Sequence, residues 1–202
     1  WAKKSSRGVT QTISDKTGGD TARVRKHGDV NRLLALFNQD GKAGGIQVRC
    51  IITDGSCPVG AGIGPVEEAR DLLAVLQCQP QAPNDLRGRA LMLAAQLMDL
   101  ASRCGLKTAL RLATELLDNG KAWQQFLYIV EAQGGLKSLP DAGYQVVEKA
   151  NHSGVLRAID NRKLARLAKL AGAPVDAAAG LRLHANVGVR LGAGEPLFTL
   201  YS

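Results

Sequence analysis

The pattern of apolar and polar positions divides the chain into three stretches. Residues 1–27 alternate weakly, and Val9 to Ile13 is the strand candidate there. Asp29 is placed to cap a helix carrying Val30, Leu33, Leu34 and Phe37 on one face, closed by Gly41, Gly44 and Gly45. Gln47 to Thr53 then reads as a buried strand, rich in β-formers. This strand–helix–strand order favours parallel pairing. A glycine-rich run, Asp54 to Pro65, leads into a helix-patterned segment, Val66 to Gln77. Pro65 suits the first helical turn, where its missing N–H would be unpaired anyway. Glu67 and Glu68 lie in the same turn and complement the helix dipole.

The middle stretch is helical. Asp85 is placed to cap a helix whose Leu86, Ala90, Leu93, Leu97 and Leu100 recur at helical spacing, ended by Gly105. Thr108 to Leu117 and Ala122 to Gln133 follow, closed by Asn119–Gly120 and Gly134–Gly135. Trp123, Phe126, Leu127 and Val130 form one apolar stripe, read as core. After Pro140 the pattern shortens. Tyr144–Val147 reads as a strand and Ser153–Leu156 as a turn into another. Asp160 or Asn161 caps a basic helix bearing Leu164, Leu167 and Leu170, which Gly172 ends, with Pro174 beyond. Leu181 to Ala185 alternates and leads through glycine turns to Pro196–Leu200. Short strands around one helix predict a barrel-like sandwich. The expected fold class is therefore α/β plus α+β. Residues 1–136 form part of a mixed α/β domain and 137–202 a second domain, with the boundary between Gln133 and Ala142.

Composition narrows the class. Of 202 residues, 45% are hydrophobic and only 4% aromatic, which suits closely packed helices or helices on a sheet. No apolar run reaches the roughly 18 residues a spanning helix needs, and no leader pattern is visible at Trp1. The four cysteines (50, 57, 78, 104) and three histidines (27, 152, 184) lack metal-type spacing, so zinc is not expected. All four cysteines read as reduced thiols of a cytoplasmic protein, Cys50 as a buried one. His152 and His184 read as partly buried structural side chains. The net charge of +8 is concentrated in residues 1–26 and 155–171. Such a surface attracts anions, but nucleic-acid binding would call for aromatic stacking or a known module, and neither is present.

The glycine-rich run has two readings. Backbone N–H groups at a helix N-terminus can hold an anion; the plainer alternative is a tight strand-to-helix turn. Its residues also carry a resemblance. Asp54–Gly55–Ser56–Cys57–Pro58–Val59–Gly60–Ala61–Gly62–Ile63–Gly64–Pro65, followed by Glu68–Ala69–Arg70–Asp71, resembles the loop and helix start of the thymidine phosphorylase family, especially the bacterial branch near the archaeal AMP phosphorylases. Cys57 stands for the usual Gln and Ala61 for the usual Arg. The likeness continues at Ala82–Arg87, Phe126–Gly135, Ile159–Ala165, Gly172–Pro174 and Gly194–Leu200, and more loosely at Lys3–Lys4 and Thr21–Arg25.

The resemblance implies a portion of the family's α/β phosphate-binding domain followed by a hammerhead C-terminal domain. It implies phosphorolysis of a nucleoside or nucleotide to a free base and a sugar 1-phosphate, with phosphate as co-substrate, and a homodimer as the whole enzyme. Membrane and nucleic-acid partners are not implied. The family's phosphate loop and base-binding residues precede the part represented here, so the chain is expected to be an inactive fragment, and no catalytic or substrate-binding residue is assigned in it. Lys3 and Lys4 either face the cleft or form a solvated basic start. The resemblance also implies a potassium site at Val59, Gly62 and Asp71, the first two through backbone carbonyls. Asp71 replaces a longer Glu, and the alternative is a surface carboxylate near Arg70. Two other readings of the sequence stand beside this one. A biotinyl or lipoyl carrier needs a hairpin lysine, and none follows Lys169. A non-catalytic module for anionic partners rests on charge alone.

Overall fold

The computed structural model describes the backbone of residues 9–15 and 27–202 and the side chains from Asn31 onward. Lys3, Lys4 and Thr21–Arg25 lie outside the described residues. Backbone contacts divide the chain into two compact units, 1–56 with 88–116, and 57–87 with 117–202.

In the first unit, β1 (Val9–Asp15) pairs in parallel with β2 (Val48–Asp54), in register from Val9 opposite Val48 to Asp15 opposite Asp54. The connecting helix α1 (His27–Ala43) packs on both strands, as the strand–helix–strand order predicts. The helix begins two residues ahead of Asp29, so Asp29 belongs to its first turn and is not the cap. Leu33, Leu34 and Phe37 are half-buried.

Helix α3 (Asn84–Ser102), in its part from Gly88, and α4 (Leu106–Asp118), as far as Leu116, complete this unit. The intervening helix, α2 (Pro65–Leu76), belongs to the second. The buried face of α3 is Leu91 and Ala95, whereas Leu97 is 48% exposed and Ala90 is exposed. The expected Leu86–Leu100 stripe is thus rotated: small alanines, Ala95 on α3 and Ala109 and Ala113 on α4, take the closest-packed positions. Cys50 is half-buried, and that burial raises its thiol pKa. All four cysteines are free.

One polar cluster ties β2 to α3. The Arg49 guanidinium donates to the Asp99 carboxylate (2.8 Å) and to the Gln96 side-chain oxygen (3.0 Å). Asp99 also accepts from the Gly105 N–H (2.8 Å), closing the turn into α4. Arg89 donates to the Thr53 hydroxyl (3.0 Å) and the Asp54 carbonyl (2.8 Å), fixing the end of β2.

The second unit contains α2, α5 (Lys121–Ala132) and α6 (Asn161–Ala171) with a four-stranded antiparallel sheet. The sheet strands are β3 (Gly62–Ile63), β4 (Gln145–Lys149), β6 (Gly180–Leu183) and β8 (Pro196–Tyr201), in the order β3-β6-β8-β4. A separate ribbon joins β5 (Gly154–Val155) to β7 (Arg190–Leu191). The four-stranded sheet is open, with β3 and β4 at its edges, so the described residues do not close the expected barrel.

Helix α6 is capped as its sequence predicts: the Asp160 carboxylate accepts from the N–H groups of Arg162 (3.0 Å) and Lys163 (3.2 Å). Its Leu164 and Ala168 pack with Ala179, Leu181 and Leu183 to form the core of the unit. Leu170 is 75% exposed and takes no part, because the helical spacing turns it away from the Leu164–Ala168 face. The α5 stripe is not core either. No residue of α5 is buried, although Trp123 and Phe126 stack at 5.6 Å. His152 and His184 are both exposed. His184 Nε2 is hydrogen-bonded to the buried Thr199 hydroxyl at 2.7 Å.

The Arg49 hydrogen bond is the main influence holding the Asp99 carboxyl below its usual range; burial opposes it and the Gly105 N–H reinforces it. A carboxyl depressed in the folded state stabilises the fold fully above its unfolded pKa, about 3.9, and less as pH falls through the folded pKa. Asp99→Asn is therefore expected to lower the urea midpoint at neutral pH. The gap to the parent protein should close on acidification below about pH 4. An undiminished gap in acid would contradict the pairing.

Candidate functional site

The run from Asp54 to Pro65 is a loop whose backbone N–H groups are held by carboxylates, most of them from the helices that follow it. At its start, the Asp54 carboxylate accepts from the backbone N–H (2.8 Å) and hydroxyl (3.0 Å) of Ser56. Further on, within the second unit, successive backbone amides meet successive carboxylates. Gly60 N–H donates to Asp85 (3.0 Å). Ala61 and Gly62 N–H both donate to Asp71 Oδ2, each at 2.7 Å. Gly64 N–H donates to Glu68 (3.1 Å), and Val66 N–H to the Ala177 carbonyl (3.2 Å). The loop is an anion-holding arrangement of the expected kind, but the anions it holds are the protein's own carboxylates. The tight-turn reading is the one the structure supports. Asp85 is the second residue of α3, not its cap, and its carboxylate serves the loop.

Two of the glycines that this geometry requires combine a positive φ with a close approach. Gly60 has φ +79°, and a Cβ there would lie 2.7 Å from Asp71 Oδ2. Gly64, which caps α2, has φ +115°, and a Cβ would lie 2.7 Å from the Ala179 carbonyl oxygen. The chain passes this close because β3 pairs with β6: Gly62 is opposite Arg182 and Ile63 opposite Leu181. The Leu183 N–H donates to the Ala61 carbonyl (2.8 Å) and extends the pairing into the loop.

Arg182 is the residue that sequence reasoning did not single out. From β6, its Nε donates to Glu67 Oε2 (2.5 Å) and its Nη2 to Asp71 Oδ1 (3.1 Å). Glu67 and Asp71 are 4% and 3% exposed, so two carboxylates are buried side by side and need positive charge nearby. Burial disfavours the guanidinium charge, but Glu67 and Asp71 outweigh it and raise the Arg182 pKa. Arg70 reaches the other Glu67 oxygen (3.2 Å) and the exposed Asp141 (3.0 Å). Asp71 is therefore not a surface carboxylate beside Arg70; it is buried and paired with Arg182. The signal that could have found this pair is a single arginine inside the apolar run Gly180–Leu183.

The residues at the expected potassium position can be tested on this geometry. Val59 is half-buried on the loop, and Gly62 and Asp71 are in contact. Gly62 meets Asp71 through an N–H, which repels a cation. Asp71 Oδ2 already accepts two hydrogen bonds, and Oδ1 faces a guanidinium. These residues do not fit a potassium ion bound to Asp71. Among the described residues, no group of three or more His, Cys, Asp or Glu side chains is arranged to hold a metal. No described helix is long and apolar enough to cross a membrane.

The comparisons with known proteins agree with the motifs. Residues 155–202 match the pyrimidine nucleoside phosphorylase C-terminal domain. The whole chain is 46% identical over 201 residues to a Legionella pneumophila (strain Paris) protein named "Putative thymidine phosphorylase". It is 47% identical over 201 residues to "Putative thymidine phosphorylase 1" of Acidovorax sp. (strain JS42), and 45% to a Ralstonia nicotianae protein named like the first. All of this chain is covered in each case, against 39%, 39% and 40% of those relatives. The chain thus corresponds to a C-terminal part of thymidine phosphorylase-family proteins and spans about two-fifths of their length.

Asp71→Ala leaves Arg182 paired with Glu67 but strips the Ala61 and Gly62 amides of their acceptor, and each unsatisfied buried donor costs about 1–3 kcal/mol. The variant should lower the unfolding free energy of the purified protein by about 3 kcal/mol in urea titrations. A change below about 1 kcal/mol, the range of an exposed pair, would show that the network is not buried in solution.

Proposed function

We propose that the chain forms the C-terminal part of a thymidine phosphorylase-like pentosyltransferase. The observation that carries this reading is identity of 45–47%, sustained over 201 residues, to proteins whose names give that activity. In the proposed reaction, a phosphate oxygen bonds to the anomeric carbon of a pyrimidine nucleoside as the glycosidic C–N bond breaks. The bonding pair leaves with the base, which takes up a proton, and (deoxy)ribose 1-phosphate remains. The transition state at that carbon has oxocarbenium character, as in other glycosyl transfers. Its stabilisation depends on groups held rigidly in place.

This chain's part in that work is structural. The loop amides are engaged by Asp71, Asp85 and Glu68, so the phosphate co-substrate is assigned to residues outside this loop. No catalytic residue is assigned within the chain. Residues 1–136 are proposed to complete the α/β phosphate-binding domain and 137–202 to form the hammerhead C-terminal domain. The whole enzyme is proposed to be a cytoplasmic homodimer. A second reading, nucleoside monophosphate phosphorolysis, is favoured by the likeness of Asp54–Pro65 to the AMP phosphorylase loop.

The test is base release from thymidine, uridine and AMP by the intact protein, with and without phosphate. Phosphate-dependent release from thymidine or uridine is the expected outcome. Release from AMP alone would move the assignment to the second reading. No phosphate-dependent release from any of the three, with salt-dependent nucleic-acid binding, would replace both with a module for anionic partners. The 202-residue chain by itself is expected to show no turnover, and any turnover would place catalytic residues within it.

A further inference from the structure

We propose that Arg182 is the built-in cation of the glycine-rich loop: its guanidinium holds Asp71 against the Ala61 and Gly62 amides and takes the place of a monovalent metal ion there. Three observations lead to this. First, Asp71 is the only side chain bonded to both the Ala61 and Gly62 amides among the described contacts, so its position sets the local path of the loop. Second, its remaining oxygen faces Arg182 at 3.1 Å, and the same guanidinium satisfies Glu67 at 2.5 Å. One planar group with several N–H donors thus bridges two buried carboxylates, which a single ammonium does less well. Third, the loop and the arginine are joined by strand pairing, because Gly62 lies opposite Arg182. The cation is delivered by the fold and does not exchange with solvent.

The consequence differs from that of a metal site. An exchangeable ion makes the stability of its site depend on which salt is present, through mass action. A guanidinium anchored on β6 removes that dependence. Arg182 also lines a cavity of about 360 Å³ with Asp71, Arg70, Leu73, Gln77 and Leu139. A small cation could therefore reach Asp71 once the arginine side chain is removed. Arg182 is in this sense a positioning residue, acting on the loop through Asp71.

The experiment is thermal unfolding of the purified protein in potassium, sodium and choline chloride at equal ionic strength, for the parent and for Arg182→Ala and Arg182→Lys. Its readout is independent of phosphorolysis, so its failure and that of the proposed function are distinguishable. The parent should melt at the same temperature in all three salts. A potassium site occupied well above its dissociation constant would instead raise the melting temperature by roughly 3 °C in potassium alone, and would overturn the proposal. Arg182→Ala should melt lower in every salt and recover partly with millimolar guanidinium ion, but not with equal choline. An alanine variant as stable as the parent, or one with no guanidinium-specific recovery, would also overturn it. If Arg182→Ala does not fold, Arg182→Lys decides. It should fold but melt below the parent, still without potassium preference. Parent-like melting of the lysine variant would contradict the need for a planar fork.

Discussion

The structure of the second unit depends on one carboxylate. Asp71 sits on α2 almost without solvent contact and accepts two backbone N–H groups from the loop that precedes its own helix. A charged group buried this fully is tolerated only when its hydrogen bonds are met and its charge is balanced. The loop amides supply the first condition and Arg182 the second. Because Arg182 belongs to β6, the balance requires β6 to lie beside the loop, and the β3–β6 pairing places it there. Helix, loop and sheet are therefore specified together.

This arrangement explains why a loop with the look of an anion site engages its own side chains instead. A helix N-terminus and a run of turned-in amides attract negative charge whatever its source. Here Asp85, Asp71 and Glu68 are covalently tethered and present at high effective concentration. An external phosphate would have to displace them. The loop carries β3 directly into α2.

Much of the first unit and of the α6 region was legible in the sequence. The β1–α1–β2 order and the Asp160 cap follow from local rules: alternation, helical period and a short polar side chain at a helix start. The errors have a common cause, which is that periodicity gives a face but not its partner. The α5 stripe with Trp123 has the right spacing for a core helix, yet none of the described residues buries it fully. On α3, the apolar period reads through leucines, while the deepest positions are Leu91 and the small Ala95. The site divides in the same way. Gly60, Gly64 and Pro65 were visible as a turn. The roles of Asp85 and Arg182 were not, because each is defined by a residue far along the chain: Asp85 by Gly60 and Arg182 by Glu67 and Asp71, 115 and 111 positions away.

That last separation bears on the order in which the molecule can assemble. Residues emerge from synthesis N-terminal first, and contacts between distant positions must wait while carrying the entropy of a long closed loop. The loop amides and the Glu67–Asp71 pair are made early, but their guanidinium partner arrives more than a hundred residues later. Until then β3 has no neighbouring strand, and two adjacent acidic side chains cannot be taken out of water together. The turn encoded in the glycine-rich run is therefore among the first parts of the second unit to be synthesised, yet its guanidinium partner is present only once β6 has followed.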